Sequence, residues 1–114
     1  MSVERVQLAK MHIDDEMRAA VLEVLDSGQW IKGAHSKAFG AEWAEFCGAM
    51  AGTPCSNGSV ALIAALRLLG VGPGDEVIVP TRTFIATAHA ASLLGAKVVL
   101  VDCLSESTAI DVDQ

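Results

Sequence analysis

The residues best suited to chemistry are Ser56-Asn57-Gly58-Ser59-Val60-Ala61-Leu62, where a small polar turn stands directly ahead of an apolar run. Amides at a helix start lack internal acceptors and sit at the positive end of the helix dipole, so such a turn can hold an anion, a phosphate above all. Ser59 would add a hydroxyl donor. Gly58 would let the ligand approach the backbone closely. The competing reading is that Ser56 or Asn57 only caps the helix, as these residue types commonly do. A second segment bears on the choice. In Gly70-Val71-Gly72-Pro73-Gly74-Asp75-Glu76-Val77-Ile78-Val79-Pro80-Thr81-Arg82-Thr83-Phe84, a glycine-rich turn feeds a β-branched strand that ends in proline, two threonines and an aromatic ring. Phe84 could stack on a flat heteroaromatic ligand or plug the core ahead of a helix.

The elements that position these residues alternate. Asp14 can cap a helix running to about Asp26, with Met17, Val21, Val24 and Leu25 on one face and Gly28 as its stop. Phe39, Trp43, Phe46 and Met50 recur at helical spacing, predicting an amphipathic helix over about 36–51 with this stripe in the core. Apolar helices over about 59–69 and 84–94 are expected to be buried on most sides. The runs Val77-Ile78-Val79 and Val98-Val99-Leu100-Val101 lack alternation, as in parallel strands covered on both faces. With a short strand near Pro54 to Ser56, the order becomes β, helix, β, helix, β, a layered α/β sheet. Ligands of such sheets gather at the carboxyl ends of the strands, where the loops 56–59 and 80–84 both fall.

Composition narrows the function classes. Eight basic and fourteen acidic side chains give a net charge of -6, and the basic residues form no run, which argues against nucleic acid. The uncharged stretch from Phe84 to Ala96 is 13 residues, too short to span a membrane. Residues 1–17 carry six charged side chains and cannot act as a secretory signal, so a cytoplasmic location is expected. Cys47, Cys55 and Cys103 are odd in number and show no metal-ligand spacing, and buried thiols are expected. His89 reads as a satisfied core histidine. Asp102 closes a strand, but no G-x-G-x-x-G precedes it, so it is not read as a ribose-binding acid. Asp75 and Glu76 read as solvated turn residues.

Together the two segments resemble the DegT/DnrJ/EryC1/StrS family of sugar aminotransferases, in which an SNGT-AL turn precedes a GDEVIVP strand and a T-F or T-W pair. Ser27-Gly28-Gln29-Trp30-Ile31-Lys32-Gly33 is similar to the family's SG-WI-G segment. Val98-Val99-Leu100-Val101-Asp102 with Ile110-Asp111 is similar to its downstream strand and aspartates. The resemblance runs from about Asp14 to Asp113.

The resemblance implies the large domain of a fold type I, aspartate aminotransferase-like enzyme that uses pyridoxal 5'-phosphate. Residues 1–35 would form an N-terminal helix and entrance segment, and 36–114 the start of the coenzyme-binding domain. It further implies that Ser59 and the backbone at Gly58 and Val60 hold the coenzyme phosphate and that Phe84 stacks on its ring. Gln29 and Trp30 would lie near the substrate entrance, at a dimer interface. The implied partners are an amino-acid donor, usually glutamate, and a nucleotide-linked keto sugar, in a homodimer; no metal is implied. None of Lys10, Lys32, Lys37 and Lys97 matches the Schiff-base lysine, and the ring-nitrogen aspartate is likewise missing, so the chain is expected to be an N-terminal portion, inactive alone. A dehydratase of the same family and a non-catalytic coenzyme- or phosphate-binding α/β module are the alternatives. The chain departs from the family pattern at three places. Ser59 replaces threonine and keeps the hydroxyl, whereas Gly40 in place of glutamate and Ala34-His35 in place of Gly-Pro fall in the segment implied to shape the substrate entrance.

Overall fold

The computed structural model describes residues 9–114; residues 1–8, the first part of the predicted entrance segment, lie outside it. The chain divides into one unit up to Pro54 and a second from Cys55 onward.

In the first unit, α1 (Asp15–Ser27) starts and stops where its capping residues predict. Asp14 Oδ1 accepts from the Met17 amide at 2.8 Å, and Gly28 closes the helix in the left-handed region at φ 65°. The second helix, α2 (Ala34–Phe46), is shorter than the apolar stripe suggests. Gly48 takes φ 66°, its amide reaches the Glu45 carbonyl at 3.0 Å, and the Ala49 amide reaches the Ala44 carbonyl at 2.8 Å. This paired closure ends a helix firmly, so Met50 lies beyond it. Phe39, Trp43 and Phe46 stack along the surface, with ring centroids 6.2 and 5.4 Å apart in succession, instead of filling a core. The buried residues of α2 are Gly40 and Ala44. Gly40 faces the Gly52 carbonyl so closely that a Cβ on it would stand 2.7 Å from that oxygen and 3.2 Å from Pro54 Cδ. The departure from glutamate at position 40 is therefore a packing adaptation: two backbones meet where a side chain has no room.

The second unit contains α3 (Gly58–Leu68), β1 (Glu76–Pro80), α4 (Ala86–Leu93) and β2 (Lys97–Val101). The strands pair in parallel, from Glu76 opposite Lys97 to Pro80 opposite Val101, with α4 as the crossover. The expected strand at Pro54 to Ser56 is not formed. A three-residue segment that begins with a proline has one ladder donor fewer. A single antiparallel bridge, Cys103 with Ile110, follows β2.

Small residues make the core. Ala86, Ala90 and Ala91 bring α4 close to both strands, over the fully buried Val79. His89 lies on the other side of α4 with Ser92 and Leu93 and is exposed, contrary to the core role expected of it. No residue of α3 is fully buried; Ser59, Ile63 and Leu66, spaced four and three apart, form its half-buried face, and α3 packs on α4. An all-apolar helix needs neighbours on every side, and among the described residues α3 has α4 on one. Ile78 and Leu100 remain largely exposed for the same reason. Cys47 and Cys55 are exposed and Cys103 is half-buried, so the expectation of buried thiols fails. Among the described residues, no helix is long and apolar enough to cross a membrane.

Replacing Gly40 by alanine should lower the stability of the first unit by about 1–3 kcal/mol, because the added methyl must displace backbone. Urea unfolding followed by tryptophan fluorescence reads this directly, since Trp43 lies one turn away on the same helix.

Candidate functional site

The candidate site begins with the first turn of α3. Asn57 is extended, and its Oδ1 accepts from the Val60 amide at 3.0 Å while its carbonyl accepts from the Ala61 amide at 3.1 Å. The cap reading of Asn57 is therefore realised, and it shapes the site. Of the positions expected to cradle an anion, Val60 already donates to Asn57. The amides of Gly58 and Ser59, ahead of the first helical hydrogen bond, have no acceptor among the described residues. A Cβ on Gly58 would meet nothing within 4 Å, so the space over this backbone is open. Ser59 is half-buried and shares the α3 face that carries Ile63 and Leu66.

The second component is the exit of β1. Phe84 precedes α4, is 75% exposed, and accepts from the Thr87 amide through its carbonyl at 3.0 Å. It does not plug the core. Thr83 and Thr87 hydroxyls meet at 2.9 Å across the same turn. Both α3 and α4 end in a tight glycine closure, at Gly70 and Gly95, each ahead of a strand. Asp75 serves the turn before β1 as expected, its Oδ2 accepting from the Gly72 amide at 2.9 Å. Glu76, expected in the same turn, belongs to β1 and pairs with Lys97 across the strands.

Gln29 and Trp30 belong to the first unit. The Trp30 indole donates to the Leu25 carbonyl at 3.3 Å, and the Gln29 amide donates to Ser27 Oγ at 3.1 Å, so both are anchored to the end of α1. Trp30 nevertheless keeps 72% of its surface exposed. With Glu23, Ser27 and His35 these residues line a shallow cleft of about 180 Å³. His35 Nε2 stands 3.6 Å from Glu23 Oε1, a contact that the Ala34-His35 departure makes possible. No group of side chains suited to a metal ion occurs among the described residues.

Comparison with known proteins decides the family. A sequence model of the DegT/DnrJ/EryC1/StrS aminotransferase family matches residues 11–114. The chain belongs to this family. It is 48% identical over 88 residues to a UDP-N-acetyl-3-dehydro-alpha-D-glucosamine 3-aminotransferase of Acidithiobacillus ferrooxidans, covering 77% of this chain and 24% of that protein. Over 100 residues it is 42% identical to the GDP-perosamine synthase of Caulobacter vibrioides, covering 86% of this chain and 27% of the relative. Among solved structures, 3-amino-5-hydroxybenzoic acid synthase superposes with a TM-score of 0.84 at 40% identity, over 90% of this chain and 27% of its own. The pyridoxal phosphate form of a sugar aminotransferase from Streptococcus pneumoniae superposes with a TM-score of 0.90 at 28% identity, over 96% and 28%. The fold is thus that of the fold type I aminotransferases, and the chain spans about a quarter of the length of the family relatives it matches.

Asn57→Ala should destabilise α3 by about 1 kcal/mol, since the Val60 amide loses its acceptor. Asn57→Ser should retain most of that stability, and denaturant unfolding of the two variants checks the difference.

Proposed function

We propose that this chain supplies the phosphate cradle and ring platform of a pyridoxal-phosphate-dependent aminotransferase that moves an amino group, from glutamate, onto a nucleotide-linked keto sugar. The observation that carries the reading is the pair of unengaged amides at Gly58 and Ser59, with open space over Gly58, in the unit that also presents Phe84. These groups fit the coenzyme: two N–H donors and one hydroxyl suit a phosphate dianion, and an exposed phenyl face suits a pyridine ring. Bound coenzyme supplies an electron sink for breaking bonds at an amino-bearing carbon. The residues of this chain would hold and orient it, with Ser59 completing the donor set and Phe84 fixing the ring plane.

Relatives support the substrate class. Their names specify UDP-, GDP- and dTDP-linked sugars, although a 3-amino-5-hydroxybenzoate synthase of Amycolatopsis mediterranei is also 44% identical over 91 residues. The lysine that carries the coenzyme would come from residues outside this sequence, as none of Lys10, Lys32, Lys37 and Lys97 stands in a matching motif. Val60 would act by keeping its amide on Asn57, and so holding the first turn in shape. Gln29 and Trp30 would line the substrate entrance from the cleft at the end of α1. We further propose a cytoplasmic homodimer acting in polysaccharide biosynthesis.

Titration of the full-length protein with pyridoxal phosphate, read by the absorbance of the bound coenzyme, tests the reading. Ser59→Ala should weaken binding about tenfold, the loss of one hydrogen bond to a charged group. Phe84→Ala should weaken it by a smaller factor, about threefold to tenfold, as expected for one aromatic contact. Amino transfer to a nucleotide-linked keto sugar should follow; release of ammonia without net transfer would favour the dehydratase, and unaltered affinity in both variants would remove these residues from the site.

A further inference from the structure

The carboxylate of Asp102 joins segments that the proposed site leaves unexplained. Its Oδ1 accepts from the Thr81 hydroxyl at 3.2 Å and from the Cys103 amide at 2.8 Å. Its backbone carbonyl accepts from the Asp111 amide at 2.9 Å, within the bridged turn that follows β2. Thr81 is also tied to β2 through its backbone, the amide donating to the Val101 carbonyl at 2.9 Å. Thus the first residue after β1 is gripped twice by the end of β2, once through main chain and once through Asp102. Three residues later the same loop presents Phe84, with no buried side chain between Thr81 and Phe84 to hold it in place.

We propose that Asp102 is a positioning residue, which fixes the Thr81–Phe84 loop at the carboxyl end of the sheet and thereby sets where the Phe84 ring stands. This rests on the reading of Phe84 as the coenzyme platform, but the loop-holding part of it stands on the hydrogen bonds alone. The role needs an acceptor oxygen and not a charge. A carboxamide at position 102 offers the same Oδ1 acceptor to both donors, whereas a methyl group offers none. The partner on the other side is equally specific, because a valine at position 81 keeps the branched shape of threonine and removes only the hydroxyl donor.

The test compares Asp102→Ala, Thr81→Val, their double variant and Asp102→Asn in the full-length protein. Backbone hydrogen exchange without coenzyme is the first readout. Asp102→Ala and Thr81→Val should speed exchange about tenfold at Thr81 and through the first turn of α4, and leave the amides of α3 unchanged. Asp102→Asn should restore the native rates. The double variant should be no faster than the Asp102→Ala single, because the alanine already removes the Thr81–Asp102 bond that the valine removes. Affinity for pyridoxal phosphate is the second readout, and it should fall about tenfold in the same variants and recover in Asp102→Asn. Uniform acceleration across both helices, or equal loss in the alanine and asparagine variants, would overturn the positioning role. Unchanged exchange at Thr81 would do the same. If the native protein fails to bind the coenzyme, the platform reading falls, and the exchange pattern still decides whether Asp102 holds the loop.

Discussion

A helix start leaves four amides with no carbonyl behind them, and the way α3 deals with this deficit governs the rest of the site. Asn57 contributes a side-chain oxygen to Val60 and so fixes the geometry of the first turn. Gly58 and Ser59 are left without an acceptor among the described residues, at the positive end of the helix dipole. Filling all the orphan positions internally would give a better cap and no anion site. Leaving all of them open would give a frayed turn. The chain takes an intermediate course in which one amide is used to order the two that face a ligand.

That turn is held by modest packing. The alanine face of α4 lies against β1 and β2, and α3 packs on α4. Ser59, the proposed phosphate donor, is itself only half-buried on α3. Such economy leaves much apolar surface exposed, including Leu68, Leu69 and Leu100. Glycine closures at Gly70 and Gly95 end the two helices tightly, each ahead of the strand that follows.

Much of this was legible in the residues. Asp14 and Gly28 mark the bounds of α1 because capping is local chemistry, and the two valine-rich strands appear where continuous apolar runs place them. The failures have two sources, an overlooked local closure and nonlocal packing. Met50 extends the spacing of Phe39, Trp43 and Phe46, but Gly48 closes the helix first, and a spacing rule that ignores backbone closure cannot see that. Apolar character foretold that Phe39, Trp43 and the faces of α3 would be buried, whereas burial depends on which neighbours the folded segment provides. The exposed His89 is a similar case: helix four is apolar in sequence, yet only its alanine side meets the sheet. At the site, the position and residue types were readable, but the division of labour between Val60 and its two predecessors depends on which polar residue caps, Ser56 or Asn57. Asp102 was visible as a strand-ending acid, and only the pairing of β1 with β2 shows that its carboxylate reaches Thr81.

The claim on which the account depends is that Gly58 and Ser59 receive a phosphate. The most direct measurement follows the amide resonances of isotope-labelled protein during addition of pyridoxal phosphate and, separately, of pyridoxal. The phosphorylated compound should shift Gly58 and Ser59 strongly, inorganic phosphate alone should move the same two amides, and pyridoxal should leave both where they were. Equal shifts with the two compounds, or none at these two residues while others respond, would contradict it.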